Sequence, residues 1–222
     1  MTAVLKVENI TKQFSGVTVL DNISVELPAG QVSAIIGENG AGKSTLMKIL
    51  SGVHTDYEGQ IYFRDQAVQF ASTKDAQAQG ISIIHQELNL IPYLSISENI
   101  FLGRELTNAL GGLRSREMHA RTQELLRRLK LDVSPDTKIY QLKVGQQQVV
   151  EIAKALLFES EVIIMDEPTS AISDYEVEVL FDIIHDLRKA VKAIVYISHK
   201  LDELFEIADR YIVLRDGKHI AS

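Results

Sequence analysis

Gly37-Glu38-Asn39-Gly40-Ala41-Gly42-Lys43-Ser44-Thr45 is the stretch that decides the fold. It fits the pattern G-x-x-x-x-G-K-[ST], in which glycines let the backbone curl so that successive N–H groups point inward at phosphate oxygens. The context is the one the pattern demands. Val32-Ser33-Ala34-Ile35-Ile36 is a short apolar run that reads as a buried strand, and Leu46, Met47, Ile49 and Leu50 then recur at helical spacing. A strand, a glycine turn and a helix N-terminus make an anion site, because the unpaired N–H groups of the first helical turn add to those of the loop. In such a loop Lys43 would reach the β- and γ-phosphates of a nucleotide, and the Ser44 hydroxyl would ligate Mg²⁺.

Two further apolar runs end in polar residues. Val162-Ile163-Ile164-Met165 leads into Asp166-Glu167-Pro168, and Ala193-Ile194-Val195-Tyr196-Ile197 leads into Ser198-His199. Strands alternating with helical patterns predict a parallel sheet, and open parallel sheets hold ligands beyond the C-terminal ends of their strands. Asp166 is thus placed to hold Mg²⁺ through water. Glu167 is placed to act as a base toward, or to align, a water attacking the γ-phosphate, and His199 to hydrogen-bond that phosphate. Gln86, after the apolar run Ile81-Ser82-Ile83-Ile84, is a candidate to reach the metal. Phe14, in a predicted loop before the first of these strands, is either a core residue or a platform for adenine. His54, His85, His119, His185 and His219 show no metal-ligand spacing and read as structural or exposed.

The expected fold class is α/β: a P-loop NTPase with a RecA-like parallel core. An antiparallel β layer is expected over Leu5 to about Gln69, wrapped around the first helix. A helical subdomain is expected over about 88–157, with the densely charged stretch from Arg114 to Leu131 on one of its faces. The ATP core would then comprise about 1–87 and 158–222.

Composition narrows the function classes. The chain has 222 residues, 45% apolar and 24% charged, with 23 Lys+Arg against 30 Asp+Glu and a net charge of −7. This is the composition of a globular protein, not of a disordered tail or a fibre. Cysteine is absent, which removes thiol nucleophiles and cysteine zinc sites. The acidic balance argues against broad nucleic-acid binding. No run approaches the ~20 apolar residues that span a bilayer, and the N-terminus lacks the pattern of a secretory signal. The expectation is a cytosolic chain, with docking on something in the membrane left open. A strand-like end just past Asp216-Gly217 suggests a longer polypeptide.

Lys43 in its loop, Gln86, Leu142-Lys143-Val144-Gly145-Gln146, Asp166-Glu167 and His199 resemble, in order and spacing, the ATP-binding domain of ABC transporters. The resemblance covers essentially the whole chain. Ile84–Pro92, Glu98–Arg104, Gln147–Ala155 and Tyr196–Glu203 are most similar to the N-terminal half of bacterial monosaccharide importers for ribose, galactose, arabinose or xylose. The resemblance implies ATP hydrolysis with Mg²⁺ coupled to sugar import. It implies transmembrane permease subunits as partners, a periplasmic sugar-binding protein as an indirect one, and a place on the cytoplasmic face of the bacterial inner membrane. It makes Gln86 the residue that senses Mg²⁺ and couples to the permease, His199 the switch histidine, Glu167 the catalytic carboxylate and Phe14 the adenine platform.

In that family ATP lies between one P-loop and the signature motif of a second ATP-binding domain, fused or homodimeric. Leu142-Lys143-Val144-Gly145-Gln146 would be that signature, and it departs from the usual Leu-Ser-x-Gly-Gln. Lys143 stands where a serine hydroxyl normally donates to the γ-phosphate; its ammonium either turns to solvent or is offered to the phosphate, and the first, a weakened composite site, is the expectation. Ser173 replaces a frequent aspartate and changes little, and Asp174 reads as an early carboxylate of the next helix. Two other readings share these residues. A soluble ABC ATPase of translation or DNA repair should carry a coiled coil, a zinc site or a basic arm, and the sequence shows none. A regulatory nucleotide-binding half with weak hydrolysis gains weight from Lys143.

Overall fold

A computed structural model describes residues 3–85, 88–157, 160–170 and 172–222. The elements run β1 (Ala3–Phe14), β2 (Val17–Pro28), β3 (Val32–Ile36), α1 (Lys43–Leu50), β4 (Glu58–Phe63), β5 (Gln66–Val68), α2 (Thr73–Ala78), β6 (Ile81–Ile84) and α3 (Ile96–Phe101). There follow α4 (Ser115–Arg128), a 3₁₀ turn (Ile139–Gln141), α5 (Val144–Leu156), β7 (Val162–Asp166), α6 (Asp174–Lys189), β8 (Ala193–Ile197), α7 (Leu201–Ile207), β9 (Arg210–Arg215) and β10 (Lys218–Ala221). The chain divides into two compact units, Met1–Ile84 with Glu159–Pro168 and Ile184–Ser222, and His85–Phe158 with Thr169–Ile183.

The first unit holds both sheets. Six strands pair in the order β10-β9-β3-β8-β7-β6, five of them parallel, with β10 added antiparallel at one edge through the Asp216-Gly217 turn. The inner strands β3, β7 and β8 are nearly continuous Val, Ile, Ala and Met, as burial on both faces requires. A four-stranded antiparallel sheet, β2-β1-β4-β5, forms the second layer. α1 contributes Leu46, Met47, Ile49 and Leu50 to a buried cluster that also takes Leu5, Ile10 and Ile23 from the antiparallel sheet and Ile164, Val195 and Ile212 from the parallel one. Each of these side chains is worth about 2 kcal/mol when fully buried, so the helix that follows the glycine loop is anchored on two sides.

One expectation fails in this layer. Phe14 is the last residue of β1, not a loop residue, because β1 and β2 form one long hairpin closed by Ser15-Gly16, both at positive φ. Nor is it core: 39% of it is exposed.

The second unit is mainly helical. α4 buries Met118, Thr122, Leu125 and Leu126, one stripe at helical spacing, and exposes its charged face. Ser95 caps α3 in a reciprocal box: its hydroxyl accepts from Glu98 N–H at 3.1 Å, and the Glu98 carboxylate accepts from Ser95 N–H at 2.6 Å. Among the described residues no helix is long and apolar enough to cross a membrane.

Candidate functional site

The glycine loop leaves β3 at the sheet's centre and curls into α1. Its shape is dictated by contacts that no side chain could survive. A Cβ on Gly37 would sit 2.4 Å from the Leu214 carbonyl oxygen, and Gly42 takes φ 99° with Leu20 Cδ2 only 2.5 Å from where its Cβ would be. The left-handed conformation there is open to glycine at little cost. Glu38, Asn39 and Gly40 face solvent, whereas Ala41, Gly42 and Lys43 are buried. Ser44 is exposed and Thr45 half-buried on the first turn of α1.

Lys43 folds back over its own loop. Its Nζ donates to the Gly37 carbonyl at 2.6 Å and to that of Glu38 at 3.0 Å. Burial pushes the ammonium below the usual lysine range, while the nearby Glu167 and Asp166 carboxylates oppose that shift. A buried cation on a glycine loop with two acidic neighbours suits a triphosphate carrying a divalent cation.

β7 and β8 flank β3 on one side, in the order β3-β8-β7, so their C-terminal ends deliver residues toward the same loop. Asp166 ends β7. Glu167 follows at φ 48°, an uncommon conformation for a non-glycine residue, with its N–H bonded to the Ile197 carbonyl of β8 at 2.9 Å. That bond turns the Glu167 side chain out of the sheet, where its Oε1 lies 2.7 Å from His199 Nε2. The structure therefore joins two residues that are 32 positions apart in sequence into one acid–base pair beyond the C-terminal ends of two inner strands, half-exposed on the histidine side. Among the described residues no group of three or more His, Cys, Asp or Glu could hold a metal. Asp166 and the Ser44 hydroxyl are hard oxygen donors suited to a hydrated Mg²⁺ that draws its remaining ligands from phosphate and water.

Phe14 ends β1 on the β1–β2 hairpin. Lys12 Nζ lies 4.7 Å from its ring centroid, and His54 packs edge-on at 5.2 Å. Lys12 is itself buried, bonded to the Asp56 carbonyl and carboxylate, both at 2.6 Å. Burial first, then the Lys12 and Lys48 charges, push His54 below the usual imidazole range against the pull of Asp56. Sequence reasoning set His54 aside, and its place beside Phe14 has no local signal.

Gln86 lies outside the described residues. The predicted signature belongs to the second unit. Leu142 is buried, Lys143 is the exposed N-cap of α5, and Val144 begins the helix. Lys143 N–H donates to Gln146 Oε1 at 3.0 Å. Gly145 leaves room for Glu176, whose Oε2 would lie 2.5 Å from a Cβ there and which accepts from the N–H and the hydroxyl of Ser173, each at 2.8 Å. Neither Glu176 nor Ser173 stands out as a partner of the signature in the sequence.

Comparison with known proteins gives the family. The ABC transporter family pattern matches residues 20–170. A putative ribose/galactose/methyl galactoside import ATP-binding protein of Ralstonia nicotianae is 51% identical over 98% of this chain and 42% of its own length. A ribose import ATP-binding protein of Caldanaerobacter subterraneus subsp. tengcongensis is 48% identical over 98% of this chain and 44% of its own. The chain thus spans less than half the length of these relatives. Among solved structures, a nucleotide-free ATP-binding cassette from an ABC transporter superposes with a TM-score of 0.85 at 27% identity, over 99% of this chain and 90% of that one. A dimeric cassette in a post-hydrolysis state, bound to ADP and Pi, gives 0.84 at 27% identity, over 98% and 97%. With the family pattern, the relatives and the backbone in agreement, the chain belongs to the ABC transporter family.

Proposed function

We propose that this chain is the ATP-hydrolysing, energy-coupling part of a monosaccharide importer. The observation that carries the reading is the Glu167–His199 pair, 2.7 Å apart, set just past the ends of β7 and β8, the next two strands in order from β3, which feeds the glycine loop. Relatives about half identical over nearly the whole chain are named as ribose or galactose import ATP-binding proteins, which supports the sugar class.

The loop N–H groups and Lys43 bind the phosphates of ATP, with Lys43 exchanging two carbonyl partners for phosphate oxygens. Bound Mg²⁺, held by Ser44 and Asp166, supplies charge neutralisation of the phosphates. Glu167 accepts a hydrogen bond from the attacking water and aligns it, and His199 steadies Glu167 and the γ-phosphate side. Phe14 offers adenine the ring face away from Lys12. Leu142 to Gln146 serve a nucleotide held by a second ATP-binding domain, fused or homodimeric. Gln86 links the site to the permease subunits, which recruit the chain to the cytoplasmic face of the inner membrane and receive sugar from a periplasmic binding protein. Residues 1–222 are the first half of a tandem protein in this proposal, as the length of the relatives supports.

Glu167→Gln tests it. The variant keeps the shape of the side chain and loses the negative charge, so ATP affinity stays within about twofold while phosphate release in the full-length protein falls at least ~100-fold. Turnover equal to wild type would overturn the reading.

A further inference from the structure

Next to the switch histidine lies a buried polar cluster that the nucleotide chemistry above does not use. Glu203 of α7 is 8% exposed. Its Oε2 accepts from the Tyr196 hydroxyl and from the Ser198 hydroxyl, each at 3.0 Å, and its Oε1 pairs with Lys200 Nζ at 3.0 Å. The Ser198 oxygen in turn accepts from the Lys200 N–H at 3.0 Å. Residues 196, 198 and 200 thus all close on one carboxylate, and His199 lies between the last two of them.

A carboxylate in an apolar setting is unfavourable unless its oxygens are fully satisfied. Tyr196 is fully buried in β8 and Ser198 nearly so, which makes this network rigid on the strand side, while Lys200 ties the helix side. The His199 side chain is half-exposed and its ring pairs with Glu167. We propose that Glu203 is a positioning residue: it locks the turn from Tyr196 to Lys200 so that the His199 imidazole is held against Glu167. The inference rests on the ATPase reading above.

The test is a double-mutant cycle in the full-length protein, with ATP affinity and single-turnover phosphate release read separately, since the latter resolves slow variants. Glu203→Gln keeps the volume and weakens the clamp. It is expected to leave ATP affinity within about twofold and to slow phosphate release roughly tenfold. In a His199→Ala background the same change is expected to have no further effect, because the group being positioned is gone. Tyr196→Phe, which removes one donor and keeps the ring, should show the same pattern at smaller size. An equal loss with and without His199 would make Glu203 merely structural and overturn the proposal, as would unchanged release in Glu203→Gln. If Glu203→Gln does not fold, the Tyr196→Phe cycle decides by the same criterion. A wild type that binds ATP without turning it over sinks the ATPase reading and this inference with it. An active wild type with a silent Glu203→Gln sinks this inference alone.

Discussion

Lys143 is the residue at which the chain departs from the serine that the signature resemblance implies. It is the N-cap of α5, exposed, and its side chain has no hydroxyl to offer a phosphate. A serine at the same position would supply one donor beside the free N–H groups of the helix's first turn, a charge-assisted bond worth about 1.5–3 kcal/mol. Lys143→Ser is therefore expected to raise ATP turnover of the paired assembly several-fold, and about tenfold if 1.4 kcal/mol of that appears in the transition state. The measurement is steady-state phosphate release at saturating ATP in the full-length protein, and equal rates in the two forms would show that the hydroxyl is dispensable. Lys43 is the opposite case, a residue whose surroundings leave it no substitute. Its two carbonyl partners hold the ammonium at the loop, so Lys43→Ala removes the only loop cation reaching the phosphates, and Mg·ATP affinity should fall by at least ~10-fold in a titration calorimeter.

At the scale of elements, the helix cap of α3 makes the clearest pH-dependent contribution. The Glu98 carboxyl is pulled down to about 2, first by the Ser95 N–H, then by the Ser95 hydroxyl and Lys138. A carboxylate lowered in the folded state stabilises the protein above its unfolded value of 4.5, and that contribution is lost as pH falls from 4.5 toward 2. Half of the side chain is exposed, so solvent screening leaves about 1 kcal/mol of the nominal effect. Wild type should thus unfold at higher temperature than Glu98→Gln at pH 7, with the gap closing over that window; a constant gap between pH 7 and 2 would remove the cap from the account. The elements themselves were legible to different degrees, for physical reasons. β3, β7 and β8 announce themselves because a strand buried on both faces must be apolar throughout. The hairpin end carrying Phe14 did not, because its long ladder is interrupted by register shifts and its turn residues read as a loop. The glycine loop was readable because its constraints are local. The contact of Glu176 with Gly145, the clamp of Glu203 on the His199 turn and the packing of His54 on Phe14 were not, since each depends on how distant or adjoining segments close in space. Only the spacing of Glu203, four residues past His199 on a short helix, left a trace that could have been followed.

At the scale of the whole molecule, the chain carries one half of each of two unlike parts. The first unit holds the glycine loop and the Glu167–His199 pair, and the second holds α5, whose N-terminus, under the proposed function, would serve a nucleotide bound by another ATP-binding domain. In the proposed function neither part completes a site alone, so hydrolysis would depend on a second ATP-binding domain. The relatives are more than twice as long as this chain, which supplies room for that second domain in the same polypeptide. Residues 1–222 expressed alone should therefore bind ATP through the loop yet turn it over slowly, with a rate per chain that rises as concentration rises, because two copies must meet. The full-length protein should show a rate per chain independent of concentration, since its two halves are held together at high effective concentration. Phosphate release measured over a hundredfold dilution series distinguishes the two. A fast rate that does not change on dilution of the 222-residue chain would mean that one copy closes its own site, and the paired-cassette account would have to be abandoned.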